Sequence, residues 1–178
     1  AIQDSQKPGI EIMLLSSFAR TGFPMALYFL EKSNYSITNF IKRFFATLIG
    51  VTFVGHGLKV LLQEPEYQDY LYFIIGLFKK SSSSHTLIAT IMNLIGILDI
   101  LVGIAIIIKP NHKKILLYLC LWGFLTALLR PLYSGSDGLL PFFIRTPHWL
   151  IPLTLLLWSY NHKRGTLSVS YTHLTLPT

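Results

Sequence analysis

Ionisable side chains inside apolar segments are the feature of this 178-residue chain that can support chemistry. Six of them interrupt its apolar runs, namely His56, Lys59, Asp99, Arg130, Arg145 and His148. Asp99 lies near the middle of residues 86–108, a segment long enough to cross a bilayer as a helix. A carboxylate at that depth costs at least about 2.5–3.5 kcal/mol on insertion scales, so it requires a partner or a function.

These side chains are predicted to surround one polar pocket inside the membrane. At a rise of 1.5 Å per residue, Asp99 lies about 20 Å from the outer end of its helix, and the other five lie nearer to that end. We therefore predict a cavity that opens outward, with Asp99 at its floor and paired with His148 or Arg145. A neutral histidine beside a carboxylate can relay protons. The excess of positive charge favours an anionic or strongly hydrogen-bonding ligand.

Simpler roles remain open for several of these residues. Lys59 and Arg130 lie near helix ends, where long cationic side chains anchor at the membrane surface, and Arg130 can instead hold Asp137. His56 can be a packing histidine. The histidines are scattered over separate segments without the spacing of a metal site, so no metal is predicted. No phosphate-binding loop, HExxH motif or Ser-His-Asp spacing is present either.

The elements that position these residues are predicted to be membrane-spanning helices. The composition is 52% hydrophobic and 13% charged, whereas an ordinary soluble domain has roughly 25% charged residues. We predict an all-α fold, an integral membrane four-helix bundle with spans at 44–62, 86–108, 115–133 and 139–160. The fourth span contains Arg145, Pro147 and Pro152, so it is expected to be kinked, with its broken region facing protein or water.

Three regions are predicted along the chain. Residues 1–39 form an N-terminal segment, either an interfacial amphipathic helix or the remnant of a further span. Residues 40–162 form the transmembrane domain, and residues 163–178 form a tail. The tail is expected to be non-native from about residue 168, because 169–178, VSYTHLTLPT, resembles a translated sequencing adapter. A native polar tail is the alternative.

Helical spacing predicts which sides of the spans face protein. In the second span, small and polar residues share one arc, and aliphatic residues cover the opposite, lipid-facing side. That arc contains Ala89, Asn93, Gly96, Asp99 and Gly103. In the first span, Gly50, Val54 and Gly57 fall on one side, where small residues let a neighbouring helix approach closely. Residues 67–78 are too short to span and rich in tyrosine, which favours an interfacial or re-entrant segment.

The basic residues indicate the orientation of the spans. Seven of them lie on one side and two on the other: Lys42, Arg43, Lys109, Lys113, Lys114, Lys163 and Arg164 against Lys79 and Lys80. Short loops rich in lysine and arginine stay in the cytoplasm, so both chain ends are predicted to be cytoplasmic. The net charge of +7 is thus mostly a topology signal, and no nucleic-acid partner is predicted.

Two short stretches resemble those of a known family. Arg43 precedes an apolar segment that ends in HGLK at 56–59, and the second span carries GILDILVG at 96–103. Both patterns are similar to those of DoxX-like proteins, a family of small four-helix bacterial membrane proteins, and the resemblance covers about residues 42–160. It implies a multi-pass protein of the bacterial cytoplasmic (inner) membrane. Some relatives are subunits of a thiosulfate:quinone oxidoreductase, which implies a quinone as the cofactor.

The function that follows is a choice among three hypotheses. The first is a DoxX-like membrane protein of undefined activity, whose polar pocket binds a small ligand or a quinone head group. It needs a soluble redox partner, because the chain has no cofactor motif and Cys120 is its single cysteine. A small transporter or permease-like protein, supported by the kinked fourth span, and a structural subunit are the alternatives. Whether the chain is an enzyme stays open; the bilayer and a second copy of the chain are further expected partners.

Overall fold

Every regular element of the computed structural model, which describes residues 9–33, 38–78 and 85–168, is helical. The all-α prediction is therefore confirmed for these ranges, and the adapter-like residues 169–178 lie outside them. The elements are α1 (Ile10–Ser16), α2 (Phe18–Lys32), α3 (Asn39–Leu61), α4 (Pro65–Phe78), α5 (His85–Ile108), α6 (Lys113–Ser134), a 3₁₀ turn (Gly135–Gly138), α7 (Leu139–Ile144) and α8 (Thr146–Ser168).

Within the described ranges, three stretches are long and apolar enough to cross a membrane. They are α3, α5 and Lys113–Ile144, which joins α6 to α7. The bent pair α1–α2, with 45° between its helices, is a fourth if it counts as one span. These lengths and compositions fit a helical membrane protein. The predicted fourth span at 139–160 does not form one continuous helix, because the chain breaks at Arg145 between α7 and α8.

The break at Arg145 follows from its neighbours in the sequence. Arg145 ends α7 with φ −89° and ψ 3°, and Pro147 has no N–H with which to continue the hydrogen-bond ladder of that helix. Pro147 then lies in the first turn of α8, where a missing N–H is tolerated. Pro152 lies inside α8 without ending it. The kink expected in this region is therefore a helix break at Arg145.

α3 and α5 pack at backbone distance through glycines. A Cβ added to Gly50 would collide with the carbonyl oxygen of Gly103, and one added to Gly57 would collide with that of Gly96. Val54 lies between these contacts, against Gly103. The side of the first span predicted to accept a close neighbour is therefore confirmed, and the two helices run antiparallel.

The two sides of α5 differ as the helical spacing predicts. Asp99 is buried together with the glycines on either side of it. The opposite, aliphatic side is exposed, as expected for a lipid-facing surface, at Leu94, Ile97, Leu98, Leu101 and Ile104. Some residues depart from the prediction. Asn93 is exposed, and Met92 is the buried residue of that turn, while Ile95 and Val102 of the aliphatic side pack against the core. The buried arc is therefore rotated by one position in the first half of the helix.

The bent pair α1–α2 packs along α3. The Ala19 amide donates to Thr52 Oγ1 at 2.7 Å, and Gly55 is in close contact with the end of α1. Further along, the rings of Phe29 and Phe44 meet edge to face at 5.6 Å. The pair thus runs antiparallel to α3 over most of its length. The interfacial location predicted for this part of the chain stays a prediction.

Basic side chains lie on aromatic rings at the end of the bundle where α3 begins. Lys42 Nζ is 3.9 Å from the centroid of the Trp158 ring, and Lys113 Nζ is 3.6 Å from that of Tyr160. Lys42 also shares a groove with Asn111, in the turn between α5 and α6. This end therefore gathers residues that the charge distribution assigns to the cytoplasmic side.

Candidate intramembrane pocket

A cavity of about 90 Å³ lies between α3, α4, α5, α6 and the start of α8. This volume holds about three waters. Its polar lining comes from His56, Tyr67, Tyr70, Asp99, Trp122, Thr126, Arg145 and His148, and the rest of its wall is aliphatic or aromatic. Four of the six ionisable residues chosen from the sequence are among these. Lys59 and Arg130 are not part of the lining.

Tyr67, on α4, connects a histidine to an arginine. Its hydroxyl oxygen is 2.8 Å from His56 Nδ1, and the Arg145 side chain is a second hydrogen-bond partner of the same hydroxyl. The Tyr67 and His56 rings meet edge to face, with their centroids 6.4 Å apart. α4 therefore contributes a polar group to the site, because its tyrosine connects side chains from α3 and from the α7–α8 junction.

His148 takes its orientation from the helix break. Its Nδ1 is 3.1 Å from the carbonyl oxygen of Arg145, the residue at which α7 ends. Its ring lies 5.2 Å from that of His56, centroid to centroid. The carbonyl of His148 packs against Gly123, where a Cβ would collide with it. A glycine on α6 therefore lets α8 approach closely enough for His148 to enter the pocket.

Asp99 is 4% exposed and has a different partner from the one expected. The Trp122 side chain is a hydrogen-bond partner of its carboxyl group. Among the described residues, no ion pair includes Asp99, so the predicted pairing with His148 or Arg145 is wrong. The reason is that both alternatives are engaged elsewhere: Arg145 binds Tyr67, and His148 Nδ1 faces a backbone carbonyl.

Three buried polar atoms of this pocket have no hydrogen-bond partner in the described part of the chain. They are His56 Nε2, Asp99 Oδ1 and His148 Nε2. A buried polar atom left unsatisfied costs about 1–3 kcal/mol, and in hydrocarbon no bulk water can replace the missing bond. The residues that carry these atoms, on α3, α5 and α8, line the same cavity. This is the arrangement of a binding site for water or a polar ligand.

Lys59 and Arg130 are neutralised outside the pocket, near its outer edge. Lys59 lies 3.6 Å from Glu64, and Arg130 lies 2.6 Å from Glu66, which also accepts a hydrogen bond from Tyr70 at 2.9 Å. Arg130 therefore pairs with α4 rather than with Asp137. These pairs neutralise two of the expected cations. Arg145 and Asp99 remain as the charged groups of the lining, and Arg20, on α2, is near enough to act on both histidines.

The two carboxyl groups of these pairs differ in their pKa. Burial raises the pKa of Glu64, and the nearby Lys59 opposes this only in part. Burial acts in the same direction on Glu66, but Arg130 and the Tyr70 hydroxyl outweigh it and hold the Glu66 pKa below its ordinary value. Glu66 is thus the charged anchor of α4 at neutral pH.

The aromatic members of the site were not among the residues predicted from the sequence. Tyr67 and Tyr70 were assigned to an interfacial segment on composition alone, although their three-residue spacing places both on one face of a helix. Trp122 lies one helical turn before Thr126, whose hydroxyl bonds the Trp122 carbonyl at 2.9 Å. That spacing on the small, polar face of the third span was an available signal for Trp122.

No group of three or more His, Cys, Asp and Glu side chains in the described ranges is arranged to hold a metal ion. Comparison with known proteins found no matching family model, no similar curated protein and no similar solved structure. Function is therefore inferred from the geometry of the pocket and from the resemblance of the two short motifs.

Proposed function

We propose that the chain is a DoxX-like multi-pass protein of the bacterial inner membrane, whose pocket binds the head group of a quinone. The observation that supports this proposal most directly is the set of three buried, unpartnered polar atoms at one cavity: His56 Nε2, Asp99 Oδ1 and His148 Nε2. The aromatic and aliphatic walls suit a flat apolar ring, and a volume of about 90 Å³ admits the edge of such a ring rather than the whole of it. A quinone ring carries its polar atoms at its edge, where these three groups can reach them.

The chemistry proposed for the site is proton-coupled reduction. Reduction of a quinone to its quinol takes up two electrons and two protons, and the electrons come from a soluble redox protein. The chain's own residues bind the ring and hold protons: His56, Asp99 and His148 all line the cavity. A buried acid and a histidine in one membrane cavity are the groups that proton pathways use.

The proposed orientation places the basic end of the bundle in the cytoplasm. Lys42, Arg43 and Asn111 share a groove at that end, and short basic loops remain cytoplasmic. α4 and the 3₁₀ turn then lie at the outer face, which keeps the pocket in the outer half of the bilayer. A cytoplasmic C-terminus follows. An interfacial N-terminal segment would keep the N-terminus on the same side, and a homo-oligomer remains part of the proposal.

Quinone binding is tested by fluorescence, because Trp122 lines the pocket. The full chain in lipid nanodiscs is titrated with menadione, and we expect saturable quenching that is lost in Trp122→Phe. His56→Phe removes one hydrogen bond of about 1.5 kcal/mol, so it should weaken binding about tenfold. Asp137→Asn, in the outer turn, should leave binding unchanged. Quenching that rises linearly with menadione and equally in every variant would show partition into lipid and contradict the proposal.

Transport is the second candidate function, and the helix break favours it. Broken helices line the substrate sites of many transporters, and Arg145, at the break, faces this pocket. Stopped-flow swelling of proteoliposomes in glycerol would be faster with the wild-type chain than with Asp99→Asn if a neutral solute passes through. A purely structural role for Asp99 as an ion pair between subunits fits less well, because its side chain is enclosed within one chain.

A further inference from the structure

A polar groove opens at the end of the bundle where α3 begins, between α3 and the turn that follows α5. Its volume is about 510 Å³, within the range of about 300–1,000 Å³ for small-molecule sites. Arg43 and Thr47 on α3 and Asn111 in the turn contribute polar groups, and Ile107 contributes an apolar one. In the described part of the chain, no carboxylate belongs to this lining. The groove shares no residue with the intramembrane pocket.

The groove exists because α3 extends past the end of α5. Arg43 and Thr47 continue the helical row of Gly50, on the side of α3 that packs against α5. A Cβ added to Gly50 would collide with Ile107, and α5 ends one residue later, at Ile108. The helix that covers the rest of this row is therefore missing at Arg43 and Thr47, and both residues are exposed.

The positive charge of the groove is held in place at Lys42 and is not neutralised at Arg43. Lys42 is buried, and its Nζ donates to Asn39 Oδ1 at 3.2 Å while it lies on the Trp158 ring. Both ion pairs of the described ranges lie at the other end of the bundle, so neither includes Arg43. Glu31, the nearest carboxylate along the described chain, is not part of the lining. The groove is therefore cationic.

Thr47 differs from other threonines in the helices of the bundle. Four of these donate to the carbonyl oxygen four residues earlier at 2.8–2.9 Å: Thr52, Thr90, Thr126 and Thr154. The Thr47 hydroxyl forms no hydrogen bond within the described ranges. Four residues along a helix correspond to about 6 Å, so Thr47 lies about 6 Å further towards the membrane interior than Arg43. A matching ligand has an anionic group at Arg43 and a hydrogen-bonding group below it.

We propose that this groove binds the head group of an anionic phospholipid. The phosphate lies at Arg43, whose planar guanidinium matches phosphate oxygens, and close to the fixed charge of Lys42. The Thr47 hydroxyl donates to an ester oxygen of the glycerol backbone, and an acyl chain follows Ile107 into the hydrocarbon. Basic clefts between membrane helices bind anionic head groups in this way.

A lipid fits the groove better than a soluble phosphate does. A soluble phosphate would contact Arg43 but would leave Ile107 uncovered and the Thr47 hydroxyl without a partner. A lipid contacts all three residues at once, since its charged, ester and acyl parts follow one another with depth. The inference goes beyond the proposed function and does not depend on the quinone site.

Native mass spectrometry of the full chain in detergent micelles measures the dissociation constant of the first bound lipid. We expect phosphatidylglycerol to bind about tenfold more tightly than phosphatidylcholine with the same acyl chains, because the choline group cancels the negative charge. Arg43→Gln should weaken phosphatidylglycerol binding about tenfold. The control Lys114→Gln removes the same charge from an exposed residue at the same end, outside the groove, and should weaken it by less than about twofold. Equal losses in both variants would show attraction to surface charge alone and overturn the proposal.

Thr47→Val tests the groove without a change in charge. Loss of one neutral hydrogen bond should weaken phosphatidylglycerol binding about fivefold. Thr90→Val is the control, because that exposed threonine on α5 already bonds its own helix, and it should leave binding unchanged. If the two variants bind the lipid alike, the lipid does not occupy the groove. This comparison applies even if Arg43→Gln fails to fold.

Glycerol phosphate separates a lipid site from a site for soluble phosphate esters. It carries the same phosphate group but no acyl chain. We expect that an excess of glycerol phosphate leaves phosphatidylglycerol bound to the wild-type chain. Displacement of the lipid, absent in Arg43→Gln, would assign the groove to a soluble phosphate ester and contradict the lipid proposal.

Discussion

Thr52 shows how the bundle accommodates a buried polar group at the scale of single residues. Its side chain is fully enclosed; the hydroxyl accepts from the Ala19 amide at 2.7 Å and donates to the Leu48 carbonyl at 2.8 Å. The Ala19 amide lies in the first turn of α2, where N–H groups have no partner within the helix. One threonine thus satisfies an amide that the bend between α1 and α2 leaves open.

Replacing Thr52 by valine should destabilise the docking of α1–α2. The change keeps the shape but leaves the Ala19 amide buried and unpaired, so we expect a loss of about 1–3 kcal/mol in the free energy of unfolding. Denaturation in detergent micelles, followed by helical circular dichroism, measures it. Thr90→Val is the control, because that threonine is exposed on α5 and bonds only its own helix. Equal losses in the two variants would contradict this role of Thr52.

For Asp99, the sequence predicts burial but not the hydrogen-bond partner. Its burial was predictable, because the glycines at 96 and 103 place it on the side of α5 that another helix must cover. Its partner was not predictable. Depth along a helix gives no information on the direction in which a neighbouring side chain points, and Trp122 at the same cavity was outside the ionisable set. The break at Arg145 also gives His148 a backbone carbonyl as a competing partner.

Among the elements, α4 has the clearest functional consequence. It is too short to cross a membrane, yet it brings Tyr67, Tyr70, Leu71 and Ile74 to the pocket lining. Two ion pairs hold its N-terminal end in place: Lys59–Glu64, just before the helix, and Arg130–Glu66, in its first turn. The tyrosine content allowed an interfacial helix to be predicted at 67–78. The ion pair between Glu66 and Arg130 was not predictable, because these residues are far apart in the sequence.

Neutralising Glu66 should loosen α4. Glu66→Gln removes a half-exposed ion pair worth about 1 kcal/mol, which corresponds to about fivefold more frequent opening. Hydrogen exchange of the α4 amides, expressed as protection factors, measures it at pH 7. Asp69→Asn, an exposed change on the same helix, should leave the protection factors as they are. If both variants exchange alike, the Glu66 pair does not hold the helix.

The same contact predicts a dependence on pH. Because the folded-state pKa of Glu66 is lowered, its stabilising contribution is complete above the unfolded value of about 4.3 and is lost as the pH falls through the folded value. Wild-type α4 should therefore approach the protection of Glu66→Gln only below about pH 4.

The path of the first helices decides the topology of the whole molecule. Arg20, Gly22 and Pro24 interrupt the apolar run at 12–30, so hydropathy alone makes this run a poor span. The structure gives one of these interruptions a packing role: Gly22 lies where a Cβ would collide with Leu48 of α3. A hydropathy average over a sequence window counts such residues as polar or helix-breaking. It contains no information on whether they pack against a neighbouring helix.

Cysteine labelling distinguishes the two placements of α1–α2. In a Cys120→Ser background, Glu11→Cys, Asn111→Cys and Ser136→Cys are treated with a membrane-impermeant maleimide in intact cells and after permeabilisation. If α1–α2 crosses the membrane antiparallel to α3, Glu11→Cys reacts in intact cells like Ser136→Cys, while Asn111→Cys reacts only after permeabilisation. An interfacial, cytoplasmic segment would instead make Glu11→Cys behave like Asn111→Cys.

The glycine contact between α3 and α5 has a consequence for how such a protein diversifies. His56 directly precedes Gly57, and Asp99 lies one turn beyond Gly96, so both anchor groups are held by main chains that already touch. Substitutions at wall positions such as Ile95 or Leu129 can therefore change the outline of the accepted molecule while the separation of the two anchors is preserved. Proteins that descend from one ancestor would retain the spacing of the two anchor groups and differ in the ligands that they bind.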